Sequence, residues 1–255
     1  MLNGHTIIEI RIKLTHLDRF SGGLVNLKDL LAIYEQKKIE CGGIETYKHI
    51  SGLLKEAKAI HKNDWMNKPT PNGDHEQSWR AFKGKNLERL IEYIIKDEVE
   101  SLGLKIVNGN KLEKTRNENL SLELSKVKHN LLVDYGPEFG SFLPDVDIVI
   151  YDPKTCNILA VLSSKVTLRE RIAQTGYWKI KLSKDKVTEH IKVFFVTPDE
   201  DETLTKRTPA KKGRAIVEVD TDGSYVMSEK TVEESAKVKM FDKFMQDLKR
   251  LLKNN

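Results

Sequence analysis

Cysteine is scarce in this sequence. Cys41 and Cys156 are the two present in 255 residues, and nothing about their separation matches metal-ligand or redox spacing. A disulfide framework is therefore not expected, and a reducing cytoplasm fits. No apolar run approaches the roughly 18 residues of a membrane-spanning helix, so no span is expected. The opening stretch MLNGHTIIEIRIKL is too short in its apolar part, and too interrupted by charge, to read as a signal peptide. Low-complexity segments and internal repeats are missing. So is a strong charge of one sign: the net charge is +5 and the pI about 8.9. That excess is compatible with a nucleic-acid partner without establishing one. What remains is an ordinary globular composition, 39% hydrophobic and 32% charged. The length suits one domain with an appendage, or two small ones.

The first 75 residues read as mainly helical. Leu24, Leu27, Leu30, Leu31 and Tyr34 fall at helical spacing in LVNLKDLLAIYEQKK, and TYKHISGLLKEAKAIHK repeats that character after Gly42-Gly43. Residues 66–77, MNKPTPNGDHEQ, collect Pro, Gly, Asn and Asp and make the best linker. The expected division is a helical region over 1–75 and a second domain over 76–255. In the second, SWRAFKGKNLERLIEYIIKDEVESLG places Leu87, Leu90, Ile91, Ile94 and Ile95 on one face, with Gly103 as the stop. Residues 104–135 are ambiguous between strand and helix. Strands follow at 146–151, 157–165 and 191–198, the first two joined as a hairpin through Asp152-Pro153. RERIAQTGYWKIKL supplies a helix before the third strand. AIVEVD and SYVM suggest an edge hairpin, and residues 232–252 a C-terminal amphipathic helix. The expected class is α/β, a mixed sheet flanked by helices.

The chemistry-bearing residues gather around the first hairpin. Asp145 and Asp147 stand at the mouth of an apolar strand, where alternation would send both to the same side. Ser163 and Lys165 close the next strand and would share a face likewise. Pairing the two strands brings carboxylate, hydroxyl and ammonium to one sheet edge. A hard cation such as Mg²⁺ takes one or two carboxylates plus phosphate oxygens and water, and a nearby lysine stabilises developing phosphoryl charge. Taken singly, these residues also fit charged strand ends. Beyond Lys165 the stretch SSKVTLRERIAQTGYWK carries Arg169 and Arg171 where a helix begins. Cations oppose the partial positive charge of a helix N-terminus, so the pair calls for an anionic neighbour. Thr167-x-x-Glu170 is also a capping box, which by itself accounts for Glu170. The loop TKRTPAKKGR, residues 205–214, holds five cations and suits either phosphate contact or plain solvation. The seven histidines show no metal spacing and no triad context.

A Pro-Asp before one apolar strand and an apolar strand ending Ser-Ser-Lys about twenty residues on resembles the PD-(D/E)xK nuclease superfamily. Serine in place of the usual acid two positions before the lysine, here Ser163, resembles a subgroup of type II restriction endonucleases. Lys165 followed by Arg169-Glu170-Arg171 is similar to the group that reads CCGG cores, and residues 143–179 look most like the BsaWI type. The resemblance implies a metal site of Asp145 or Asp147, with Mg²⁺ as cofactor, and Lys165 to position or activate water. It implies base reading by Arg169, Glu170 and Arg171: arginine is bidentate to guanine and glutamate accepts from cytosine N4. The subgroup often takes its displaced acid from the helix after the lysine, but residues 172–184 contain no Asp or Glu. Glu88, on the helix resembling the superfamily's opening helix, is the chosen substitute. Glu92, one turn on, is the alternative, and Gln174 a weaker one. Double-stranded DNA as partner, a homodimer matched to a palindrome and a prokaryotic cytoplasm complete the expectation. A structure-specific repair or resolvase-type nuclease, and a non-catalytic DNA-binding protein on the same fold, are the rival readings.

Overall fold

The computed structural model describes residues 25–43, 45–67, 73–168 and 171–254. Leu24, the middle of the expected linker at 68–72, and Arg169 and Glu170 lie outside them.

Three helices open the described chain: α1 (Leu27–Glu40), α2 (Ile50–Asn67) and α3 (His75–Ser101). Asn26 starts α1 through a capping box with Asp29, its side chain accepting from the Lys28 N–H at 2.8 Å. Asp74 caps α3, accepting from the Glu76 N–H at 2.9 Å. The apolar face expected of α3 is its buried face: Leu87, Leu90, Ile91, Ile95 and Val99 are at most 1% exposed. Gly103 ends that helix at φ +77°, a conformation glycine adopts without strain, and Leu104 N–H then reaches the Val99 carbonyl at 3.3 Å.

The ambiguous region from 104 resolves into strand β1 (Lys105–Asn108), two short helices, α4 (Gly109–Lys114) and α5 (Leu122–Asn130), and a small hairpin of β2 (Val133–Asp134) and β3 (Ser141–Phe142). Then come β4 (Ile148–Tyr151), β5 (Ile158–Ser164), α6 (Arg171–Leu182), β6 (Lys192–Thr197), α7 (Lys212–Asp220), β7 (Gly223–Val226), β8 (Val238–Met240) and α8 (Phe244–Asn254). Six strands form one mixed sheet in the order β1-β4-β5-β6-β7-β8. Strand β4 pairs antiparallel with both β1 and β5, and β5 through β8 pair in parallel.

Both faces of the sheet are covered. Ile148 and Ile150, Ala160 and Leu162, Phe194 and Val196 pack with α1, α2, α3 and α8 in one apolar cluster. The alternate residues, Val149, Val161 and Val193, face Leu112, Val127 and Leu182 of α4, α5 and α6 in a second. A third joins Ile172 of α6 and Val217 of α7 to Phe195 and Val226. All seven residues of β5 are consequently buried, which is why its sequence is a continuous apolar run rather than an alternation.

Two expected elements differ. AIVEVD is the body of α7, not a strand. Strands β6 and β7 are parallel neighbours, so the chain between them must cross over, and a helix does it. Its β-branched residues misled: Val217 is buried while Val219 is 74% exposed. The expected C-terminal helix begins only at Phe244. Residues 238–240 before it extend the sheet beside β7, with Glu234 accepting from the Met240 N–H at 2.8 Å.

Candidate active site

The β4–β5 pairing continues past the end of β4. Asp147 N–H donates to the Leu162 carbonyl at 3.0 Å, and the Asp147 carbonyl accepts from Gly109 N–H at 2.9 Å. Gly109 is required there, because a Cβ would meet the Val146 carbonyl oxygen at 1.8 Å. The backbone of Asp147 is therefore gripped from β5 on one side and from the start of α4 on the other. Its side chain, 4% exposed, accepts through Oδ2 from the Ser164 N–H at 2.5 Å and from Lys165 Nζ at 2.9 Å. Lys165 is itself mostly covered, its side chain 14% exposed. An ion pair so placed is held by geometry and by the added N–H bond rather than by screened surface attraction.

Glu88 of α3 joins the pair. Burial raises its pKa from the ordinary carboxyl range to about 7; the neighbouring Asp147, bonded to it side chain to side chain, and Asp145 add to that effect, and Lys165 opposes it. Asn110 Nδ2 stands 3.5 Å from Glu88 Oε2. The sheet edge therefore holds three carboxyl groups acting on one another and a single ammonium.

The remaining expected residues are placed as follows. The strand alternation expected for Asp145 and Asp147 does not apply, because β4 starts only at Ile148 and residues 145–147 are not strand. Asp145 is exposed and accepts from Gln174 Nε2 at 2.7 Å, whereas Asp147 is buried on Lys165. Strand β5 ends at Ser164, one residue before Lys165, and Ser163 Oγ, buried, accepts from the Thr175 hydroxyl of α6 at 3.2 Å. Glu92 lies 4.0 Å from Arg89. Arg169 and Glu170 lie outside the described residues, as does the side chain of Arg171, whose backbone opens α6. Among the described residues no three His, Cys, Asp or Glu side chains are gathered closely enough to surround a metal. Gln174, the weaker candidate for the missing acid's place, contacts Asp145. Asn110 and Thr175 had no local signal, since each meets its partner across a long sequence separation.

In the basic segment 205–214, Arg214 is not a surface cation. It is 1% exposed, spanning the Leu204 and Glu233 carbonyls and Glu218 Oε1.

Comparison with known proteins bears on this edge directly. The profile of a family described as BsaWI restriction endonuclease type 2 matches residues 123–247, a stretch holding Asp145, Asp147 and Lys165. A putative type II restriction enzyme of Methanocaldococcus jannaschii, MjaVIP, is 34% identical over 236 residues, covering 90% of this chain and 96% of its own length. A probable type II restriction enzyme of Helicobacter pylori, HpyAORF263P, is 39% identical over 135 residues, 53% of this chain and 67% of that one. A crystal structure of the restriction endonuclease AgeI in complex with DNA superposes with a TM-score of 0.55 at 14% identity, covering 98% of this chain and 92% of that one, a likeness of fold. The chain belongs to the BsaWI-like family of type II restriction endonucleases, which are site-specific deoxyribonucleases.

Proposed function

We propose that this endonuclease cuts both strands of a short G·C-containing, CCGG-like palindrome in a Mg²⁺-dependent reaction, with Glu88 and either Asp145 or Asp147 as the metal-binding carboxylates and Lys165 as the catalytic cation. The observation that carries the reading is the buried Asp147–Lys165 pair at 2.9 Å with the Glu88 carboxyl against it. The donor set fits the ion: its groups are hard carboxylate oxygens, and Asp147 and Asp145 lie near enough to Glu88 for their charge to add to the effect of burial on its pKa, charge that a divalent cation would relieve. When bound, Mg²⁺ would supply positive charge beside the scissile phosphate and lower the pKa of the attacking water.

The chain's own residues do the rest. Asp147 fixes the Lys165 ammonium, which then stabilises charge building on the phosphoryl oxygens or positions the attacking water. Ser163 fills the position where the superfamily usually has an acid and, bonded to Thr175, secures the end of β5 against α6. Arg169, Glu170 and Arg171 read base edges, the arginines on guanine and the glutamate on cytosine. A palindrome has two equivalent scissile bonds, so two chains related by a two-fold axis act together.

Lys165→Ala abolishes cleavage of plasmid DNA with Mg²⁺ while site-specific binding in a gel-shift assay persists. Full cutting by that variant would sink the site assignment. Digestion by the wild-type protein yields discrete fragments whose ends, mapped by sequencing, share a G·C-containing palindrome. Smearing, or a preference for branched substrates, would instead mark a structure-specific nuclease.

A further inference from the structure

Gln174 and Thr175 are adjacent on α6 and reach to two different parts of the catalytic edge. Thr175, 3% exposed, bonds Ser163 at the end of β5. Gln174 is exposed, yet its amide donates to Asp145 Oδ2 at 2.7 Å across 29 residues of sequence. The helix carrying them is well anchored. Tyr177 and Tyr135 share a hydroxyl–hydroxyl bond of 2.9 Å, Lys179 pairs with Asp222 at 2.8 Å, and Leu182 is fully buried. Gly176 lets α6 approach α7 closely, since a Cβ there would lie 3.2 Å from Asp220 Cβ.

Asp145 needs such a partner. It precedes β4, belongs to no strand, and is open to water. A free aspartate there would sample several rotamers, and ordering it would oppose ligand binding. The amide donor on Oδ2 restrains the carboxylate.

We propose that Gln174 is a positioning residue that acts through Asp145: it holds the Asp145 carboxylate for the divalent cation and ties that carboxylate to the seating of α6, the helix that Arg171 begins. The inference rests on the reading of Asp145 as a metal ligand. The cation site is then sensitive to the recognition helix through one hydrogen bond, and a helix displaced from its seat carries the Gln174 amide away from Asp145. Outer partners of metal-binding carboxylates typically matter by about tenfold or more in metal affinity.

The test is Mn²⁺ binding to the full-length protein, read from the free-ion signal in electron paramagnetic resonance. A duplex carrying the mapped site, with phosphorothioate at the scissile positions, is kept saturating. Gln174→Ala, Asp145→Ala and the double variant are compared with wild type. Both side chains are exposed, and thermal melting checks that each variant is folded. The expected result is about tenfold weaker Mn²⁺ binding for Gln174→Ala, at least as large a loss for Asp145→Ala, and no further loss in the double variant. The Mg²⁺ concentration for half-maximal cleavage rises in parallel for Gln174→Ala, with the affinity for DNA unchanged. Wild-type Mn²⁺ affinity in Gln174→Ala, beside a weakened Asp145→Ala, overturns the role of Gln174 alone. Wild-type affinity in Asp145→Ala overturns the assignment of Asp145 beneath it. A double variant weaker than Asp145→Ala shows Gln174 acting by another route and equally overturns the proposal.

Discussion

Glu88 is the residue whose environment changes its chemistry most. Its folded pKa of about 7 lies well above the ordinary carboxyl value of 4.5, so the folded protein holds a proton that the unfolded chain has released over the interval between them. Its contribution to stability is therefore fully present below about pH 4.5 and is lost as pH rises through about 7. In EDTA, Glu88→Gln should flatten this part of the stability–pH profile and raise stability at pH 8 by roughly 2–3 kcal/mol relative to wild type. Urea unfolding at pH 5 and pH 8 measures it; equal differences between the two proteins at both pH values would show that Glu88 ionises normally. Glu88 was a choice between two glutamates on one helix face in the sequence, because helical spacing cannot tell which turn of α3 meets the sheet edge. The register of α3 on β4 and β5 makes the distinction: Glu88 reaches Asp147, while Glu92 lies by Arg89.

At the scale of elements, α3 carries Glu88 and much of the core, so its packing sets where that carboxyl stands. Leu90→Ala, two residues beyond Glu88 and fully buried, should cost about 2–5 kcal/mol in urea unfolding. A loss below about 1 kcal/mol would contradict the tight packing of α3 on the sheet. The joint between α2 and α3 has a different sensitivity. His61, 1% exposed, stacks on Trp65 and meets Trp79, His75 and Phe82, with Ser78 Oγ 3.3 Å from its Nε2. Burial first, and His75 second, lower its pKa; Asp64 opposes them. The neutral ring is the favoured folded form, so the contribution of His61 is full above the ordinary imidazole value and is lost as pH falls below it. Tryptophan fluorescence should report this joint loosening on acidification, and His61→Phe should remove part of that response. The same acid midpoint in the variant would exonerate His61. The strands around the site were legible because a strand covered on both faces is apolar throughout. The helix α7 was not, because alternating β-branched residues look alike on a strand and on a crossover helix until the parallel pairing of β6 with β7 is known.

For the whole molecule, the proposed palindromic target has a consequence for stoichiometry. Sedimentation of the protein with a duplex bearing its mapped site, in Ca²⁺ to hold cleavage in check, should give two chains per duplex; a stable one-to-one complex would remove the two-fold arrangement. Arg214 is locked inside the fold, which leaves Lys206, Arg207, Lys211 and Lys212 as the exposed cations of the basic segment. Replacing Lys206 and Arg207 with Ala should weaken binding to specific and unrelated DNA alike and lower the slope of log affinity on log salt by about 2. An unchanged slope would place that segment away from the phosphates.

From residues alone came the family, the hairpin bearing Pro144-Asp145 and Ser163-Ser164-Lys165, and the mixed sheet, since motif spacing and apolar patterning are local properties of the chain. Which carboxylates stand together was not local. Asp147 and Lys165 are neighbours because antiparallel pairing carries the ladder one residue past β4, and Glu88 joins them because α3 crosses that edge. Asp145 went to Gln174 because the chain before Ile148 is not strand, so alternation had no hold on it. Contacts made across tens of residues depend on register and burial, and those exist only once the sheet and its helices have packed.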